Sequence, residues 1–255
     1  MAERSGRVAV VTGAGSGIGR AIALRLAEDG AAVALLGRTR ETLEEVAGKA
    51  RGQTRVVTAD VADPLAVDAA FDEVAQALGP LHILVANAGV GGPDQEGGEE
   101  RWDAILRTNL DGAYHCLRAF EARWASEEDW RHALVISSCV ARFGVPGIVA
   151  YSTAKAGQLG MVRALAAEWA PRKVRVNAIC PGWVETGMAE ARMRELARQA
   201  ARPFAELRRE LLEAVPLQRI SQPEEIAALV AFLISAEAVS FTGQAFDPNN
   251  GAWMG

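Results

Sequence analysis

Tyr151 and Lys155 stand four residues apart in Tyr-Ser-Thr-Ala-Lys, a spacing that sets both side chains on one face of a helix. A free phenol titrates at about 10, too high to release its proton readily near neutrality. An ammonium beside it favours the phenolate and is expected to bring that value down. Tyr151 is then a general acid for carbonyl reduction, or a base for alcohol oxidation. Such a pair is common on exposed helices, so the upstream Ser138 matters. It follows the apolar run Ala-Leu-Val-Ile, and the carboxyl ends of strands face the ligand crevice of an open α/β sheet. Its hydroxyl is expected to bond a substrate oxygen and stabilise charge developing there. Neighbouring Ser137 reads as support for a turn. Cys139 reads as structural, since no histidine is placed to activate it.

A second candidate site lies near the start, in Thr12-Gly-Ala-Gly-Ser-Gly-Ile-Gly19. Glycines let the backbone turn tightly and let phosphate oxygens approach its N–H groups, and a helix N-terminus behind them adds partial positive charge. With a strand before it and a helix after it, the segment reads as a dinucleotide loop formed by Gly13, Gly15, Ser16, Gly17, Ile18 and Gly19. A tight connection is the plainer reading. An acid about 20 residues beyond such glycines would hold the ribose hydroxyl of NAD. The chain reads Leu-Gly-Arg-Thr-Arg there, with no carboxylate, and the planar fork of Arg38 suits a 2′-phosphate. NADP(H) is therefore favoured over NAD(H), the alternative being an exposed arginine at a helix start.

The elements that must position these residues alternate. Strands are predicted over 8–12, 32–36, 55–59, 83–86, 134–138, 174–179 and 244–246, and helices over 18–29, 40–49, 64–78, 100–123, 151–169 and 223–235. Asp63-Pro64 looks like an N-cap followed by a first-turn proline, and Ser221 to Glu224 has capping-box spacing. Several strands are apolar without alternation, as expected when helices cover both faces. This rhythm predicts a single α/β domain over 1–255, a Rossmann-type doubly wound parallel sheet of about seven strands. Two stretches break it. Residues 89–98 read as a surface loop, and 186–214 as an inserted helical segment, either a substrate lid or a solvated helix pair.

Composition narrows the function. The net charge of −5 and the lack of a basic block argue against nucleic acid. The apolar run near the start is too short for a membrane span or a signal core. Three scattered cysteines and three scattered histidines suggest neither a disulfide framework nor a metal site, and point to a reduced, cytoplasmic protein.

Nearly end to end, the motifs resemble those of the short-chain dehydrogenase/reductase family. Beyond the glycine loop, Asp60-Val61 is similar to the pair that contacts adenine. Ala86-Asn87-Ala88-Gly89 resembles the family's Asn-Asn-Ala-Gly turn. Asn109, Ser138 and the Tyr151–Lys155 pair follow in order, and Pro181-Gly182 with Val184 and Thr186 resembles the loop over the nicotinamide. The resemblance implies a catalytic set of Asn109, Ser138, Tyr151 and Lys155. Asn109 would bend its helix and hold a water in the proton path, and Lys155 would also bond the nicotinamide ribose. The chain ends in Asp-Pro-Asn-Asn-Gly where the family commonly has Asp-Gly-Gly.

The reaction implied is hydride transfer between NADP(H) and a ketone or secondary alcohol. Likeness to 3-oxoacyl, polyketide and 3-hydroxybutyrate members suggests a 3-oxoacyl or 3-hydroxyacyl substrate. Its walls would be Val140, Phe143, Met188, Val90, Ile148 and Trp183, although Trp183 could equally pack the lid. Arg192, Arg194, Arg198, Arg202, Arg208 and Arg209 could meet a carboxylate or a phosphopantetheine arm, or form a solvated face. The resemblance implies a homotetramer, with a dimer second. Rival readings are an NAD-dependent dehydrogenase acting on a polyol, sugar or hydroxy acid, and a catalytically silent binding protein of the same fold.

Overall fold

The computed structural model describes residues 5–94, 98–126 and 129–255. Seven parallel strands form one sheet: β1 (Val8–Thr12), β2 (Ala32–Gly37), β3 (Thr54–Thr58), β4 (Ile83–Ala86), β5 (Arg131–Ile136), β6 (Val174–Ile179) and β7 (Ala245–Phe246). Their spatial order is β3-β2-β1-β4-β5-β6-β7. The chain winds outward one way from β1 and then returns to add β4 on its other side. That reversal opens a crevice at the carboxyl ends of β1 and β4, the usual ligand position in such sheets.

Successive strand residues face opposite layers. Val8 and Val10 pack among α3 (Pro64–Leu78), α5 (Gly112–Glu121) and α6 (Val149–Trp169). Ala9 and Val11 pack among α1 (Gly17–Glu28), α2 (Arg40–Ala47) and α9 (Pro223–Leu233). With both faces covered, the interior strands need apolar residues at every position, which is why they lack alternation.

Several expected boundaries move. β5 starts at Arg131 because a charged residue is buried there: its guanidinium donates to Ala125 O at 2.8 Å and lies 4.8 Å from the Trp124 ring. The expected helix over 100–123 is two helices, α4 (Gly98–Leu106) and α5, joined by a π turn over Arg107–Asp111. The last helix is boxed one residue late, by Gln222 with Glu225, whereas Ser221 is buried and pairs through its backbone with Trp183 and Glu185. Asp63 caps α3 as expected, accepting from Leu65 and Ala66. The 186–214 insertion holds α7 (Gly187–Gln199) and α8 (Phe204–Glu213). Of the expected surface loop, residues 95–97 lie outside the described residues.

Candidate functional site

The glycine loop has the geometry of a phosphate cradle. Gly13 and Gly17 have φ of +65° and +50°, a conformation that favours glycine. A Cβ on Gly13 would lie 2.9 Å from Asn87 Nδ2, and one on Gly19 would collide with Gly13 O; Thr42 closes on Gly15 in the same way. Ser16 caps α1 without a side-chain hydrogen bond, and no acid sits in the first turn. Ile18 is partly buried and packs toward the core. Backbone N–H groups at a helix start, with no competing side chain, fit a pyrophosphate.

The crevice floor is tied together by a residue absent from the sequence-based site. Thr12, buried at the end of β1, accepts the N–H of Asn87 at 3.0 Å and of Ala88 at 2.9 Å on its hydroxyl. Asn87 Nδ2 returns a bond to Thr12 O at 2.9 Å. The motif Thr-Gly was visible in sequence, but the reach to β4 was not. Gly89 lies against Asn109 Oδ1, leaving no room for a side chain.

Away from the glycine loop, Arg38 is exposed just beyond β2, with no carboxylate among residues 36–40. Asp60 accepts the Ala62 N–H at 3.0 Å, bending the chain after β3. Val61 is buried against Gly112, and Val184 packs into the layer of α1 and α9. Both side chains are turned into the core. Thr186 caps α7 through Ala189 N at 3.2 Å, and its methyl would be 3.0 Å from a Cβ on Gly17. The inserted segment therefore begins directly over the glycine loop. Cys139 N donates to Pro181 O at 2.9 Å, and Gly182 packs closely on Asn249. The divergent C-terminal turn thus borders the site, where Asp247 also grips Arg142 in a bidentate pair.

The catalytic candidates converge. Ser138, just past β5, accepts the Val140 N–H at 3.4 Å and lies near enough to the Tyr151 phenol to favour its ionised form. Tyr151 and Lys155 share one face of α6, with Lys155 Nζ 5.6 Å from the phenol ring centre. Nζ is buried and donates to Ile136 O at 2.8 Å, while Ser137 donates to Lys155 O at 2.9 Å. Ser137 is thus a support, as read from sequence. The expected acidified phenol is not what the structure gives. Burial pushes Tyr151 up to about 12, outweighing the opposite influence of Ser138, and burial brings Lys155 down to about 8. Both shifts have the same cause: the charged form of each loses hydration.

Asn109 also does something the sequence did not suggest. Its side chain accepts from Val90 N at 2.9 Å and donates to Val90 O at 2.8 Å, holding the loop after β4. Its backbone oxygen accepts from Gln158 at 2.6 Å. The helix does deform there, with Gly112 N–H reaching back five residues to Arg107 O. Among the expected substrate walls, Val140, Phe143 and Trp183 are partly buried around the strand ends. Met188 is about half exposed and packs toward Gly91. A separate cavity of about 660 Å³ between α7 and α8 is lined by none of them. Among the described residues no cluster suits a metal, and no helix is long and apolar enough to cross a membrane.

Comparison with known proteins agrees with this geometry. A family model described as enoyl-(acyl carrier protein) reductase matches residues 13–252. The chain is 36% identical over 252 residues to the 3-oxoacyl-(acyl-carrier-protein) reductase FabG of Staphylococcus aureus, covering 96% of this chain and 98% of that one. It is 36% identical over 249 residues to the oxidoreductase UcpA of Escherichia coli O157:H7, covering 95% and 93%. A crystal structure of an actinorhodin polyketide ketoreductase variant with NADPH superposes with a TM-score of 0.89 at 34% identity, covering 96% and 97%. Levodione reductase does so with 0.90 at 28% identity, covering 97% and 98%. The chain belongs to the short-chain dehydrogenase/reductase family, NAD(P)-dependent oxidoreductases of CH–OH and C=O groups.

Proposed function

We propose that this protein is an NADP(H)-linked carbonyl reductase whose substrate carries a ketone of the 3-oxoacyl type. The observation that carries the reading is the gathering of Tyr151 and Lys155 on one face of α6, with Lys155 Nζ 5.6 Å from the phenol ring centre and Ser138 near enough to act on that phenol, at the carboxyl end of the sheet. The glycine loop would hold the pyrophosphate of a dinucleotide whose nicotinamide would supply the hydride. Ser138 binds the carbonyl oxygen and stabilises its growing negative charge. Tyr151 gives its proton to that oxygen. With its value near 12, the phenol stays protonated at neutral pH, which suits the reductive direction, and an alkoxide is basic enough to take that proton. Lys155 holds α6 against β5 and has further N–H donors for a ribose hydroxyl. Asn109 positions the loop that walls the crevice, and the side chains of Val140, Phe143, Trp183 and Met188 surround the substrate, with α7 and α8 as a lid.

Arg38 supports the choice of NADP(H): it is exposed, no carboxylate lies beside it in sequence, and the related ketoreductase was crystallised with NADPH. The names of the FabG relatives support the 3-oxoacyl class. The exposed face of α6, with Ala156, Gly157, Gly160 and Ala164, supports close pairing of subunits in a homotetramer. Three free thiols support a cytoplasmic setting. The test is a panel of ketones and β-keto esters with NADPH and NADH, followed at the cofactor absorbance. NADPH-linked reduction is expected. Absence of turnover across the panel would overturn the activity, and a strong NADH preference would overturn the cofactor assignment.

A further inference from the structure

Six arginines populate the inserted segment, and five of them are answered by acids. Arg194 pairs with Glu190 and stacks over Phe204. Arg198 pairs with Glu195, Arg202 with Glu206 and Glu210, Arg208 with Glu185, and Arg209 with Glu213. These five make a self-neutralised face. Arg192 differs: its Nη1 is buried and has no hydrogen-bond partner.

Its position on α7 tells where that unmet donor lies. Glu190, Met193 and Arg194 occupy the side of the helix turned to α8, since Glu190 and Met193 line the cavity shared with Phe204 and Arg208. At 100° per residue, Met188 and Arg192 fall together on the opposite side. Met188 Sδ would be 3.5 Å from a Cβ on Gly91, so this side faces the loop that Asn109 holds at the crevice. Glu195, one turn further along the same side, is already engaged by Arg198 and Gln199. A buried guanidinium N–H without an acceptor is unfavourable by itself and favours an anionic oxygen that can satisfy it.

We propose that Arg192 receives an anionic group, a carboxylate or phosphate, at the end of the substrate distal to the reacting carbonyl. This deepens the reductase reading and rests on it. The assignment makes Arg192 a specificity residue and the other five lid arginines structural.

The experiment measures kcat/KM for oxo acids with the carboxylate at increasing distance from the ketone, each against its methyl ester. A second pair compares a 3-oxoacyl thioester of coenzyme A with that of N-acetylcysteamine, which lacks phosphates. Wild type should prefer the anionic member of at least one pair. Arg192→Gln should reduce that preference about 10- to 100-fold, Arg192→Lys should restore part of it, and Arg209→Gln should leave it unaltered. The pair that responds identifies carboxylate or phosphate. Equal loss in Arg192→Gln and Arg209→Gln, or no preference in any pair, overturns the proposal. If no compound is turned over, the reductase reading fails separately. Calorimetric binding of the same acid and ester pairs to wild type and Arg192→Gln then decides the role of Arg192.

Discussion

The carboxylate of Asp94 caps the helix that begins at Val149, accepting the N–H of Ala150 at 3.2 Å on one oxygen and that of Val149 on the other. The helix's own N-cap residue, Ile148, has no side chain able to do this. The loop after β4 therefore fixes the end of α6 that carries Tyr151. Asp94→Ala should lower stability by about 1 kcal/mol, a fall of about 2–4 °C in Tm, while Asp94→Asn should retain most of it. Calorimetry of the two variants checks this. Equal melting of wild type and Asp94→Ala would remove the cap from the account.

Asn109 bonds both backbone groups of Val90. Asn109→Leu leaves both without their partner, and an unmet buried group costs about 1–3 kcal/mol. We expect a loss of about 2 kcal/mol or more in denaturant unfolding, with turnover falling too because the crevice wall loosens. A variant as stable as wild type would mean that Val90 finds other partners.

Lys155 makes stability depend on pH. Its folded value is lowered from 10.5 to about 8 by burial. Between these values the unfolded chain binds more protons than the folded one, so stability rises with pH across that window and is lower beneath it. In Lys155→Met this dependence is absent. The stability of wild type relative to Lys155→Met should therefore rise by about 3 kcal/mol from pH 7 to 10.5. Parallel curves for the two proteins, without cofactor, would contradict a desolvated ammonium.

Arg38 should set cofactor choice. Arg38→Ala is expected to lower kcat/KM for NADPH about 10-fold or more, the scale of a lost charge-assisted hydrogen bond, and to change that for NADH little. Equal loss with both cofactors would place Arg38 elsewhere than at a 2′-phosphate.

Local rules made most of the architecture legible. Apolar runs located all seven strands, and Asp63-Pro64 located the start of α3, because both signals act within a few residues. The failures involve distant partners. The break at Asn109 depends on a loop nineteen positions earlier (Val90), and the early start of β5 depends on Trp124 stacking under a buried Arg131. Asp94 caps a helix whose first residue is Val149. That Tyr151 and Lys155 share one helix face was readable from their spacing. Their titration was not, since burial of Tyr151 and Lys155 is a property of the packed site.

The most direct test of the account is Tyr151→Phe, assayed for reduction of the best ketone from the panel and, separately, for NADPH binding by fluorescence titration. Removing one oxygen should cut kcat by about 10²–10⁴-fold, the contribution of a positioned proton donor, and leave the dissociation constant for NADPH within about twofold. Near-normal turnover in this variant would contradict the assignment of the proton to Tyr151.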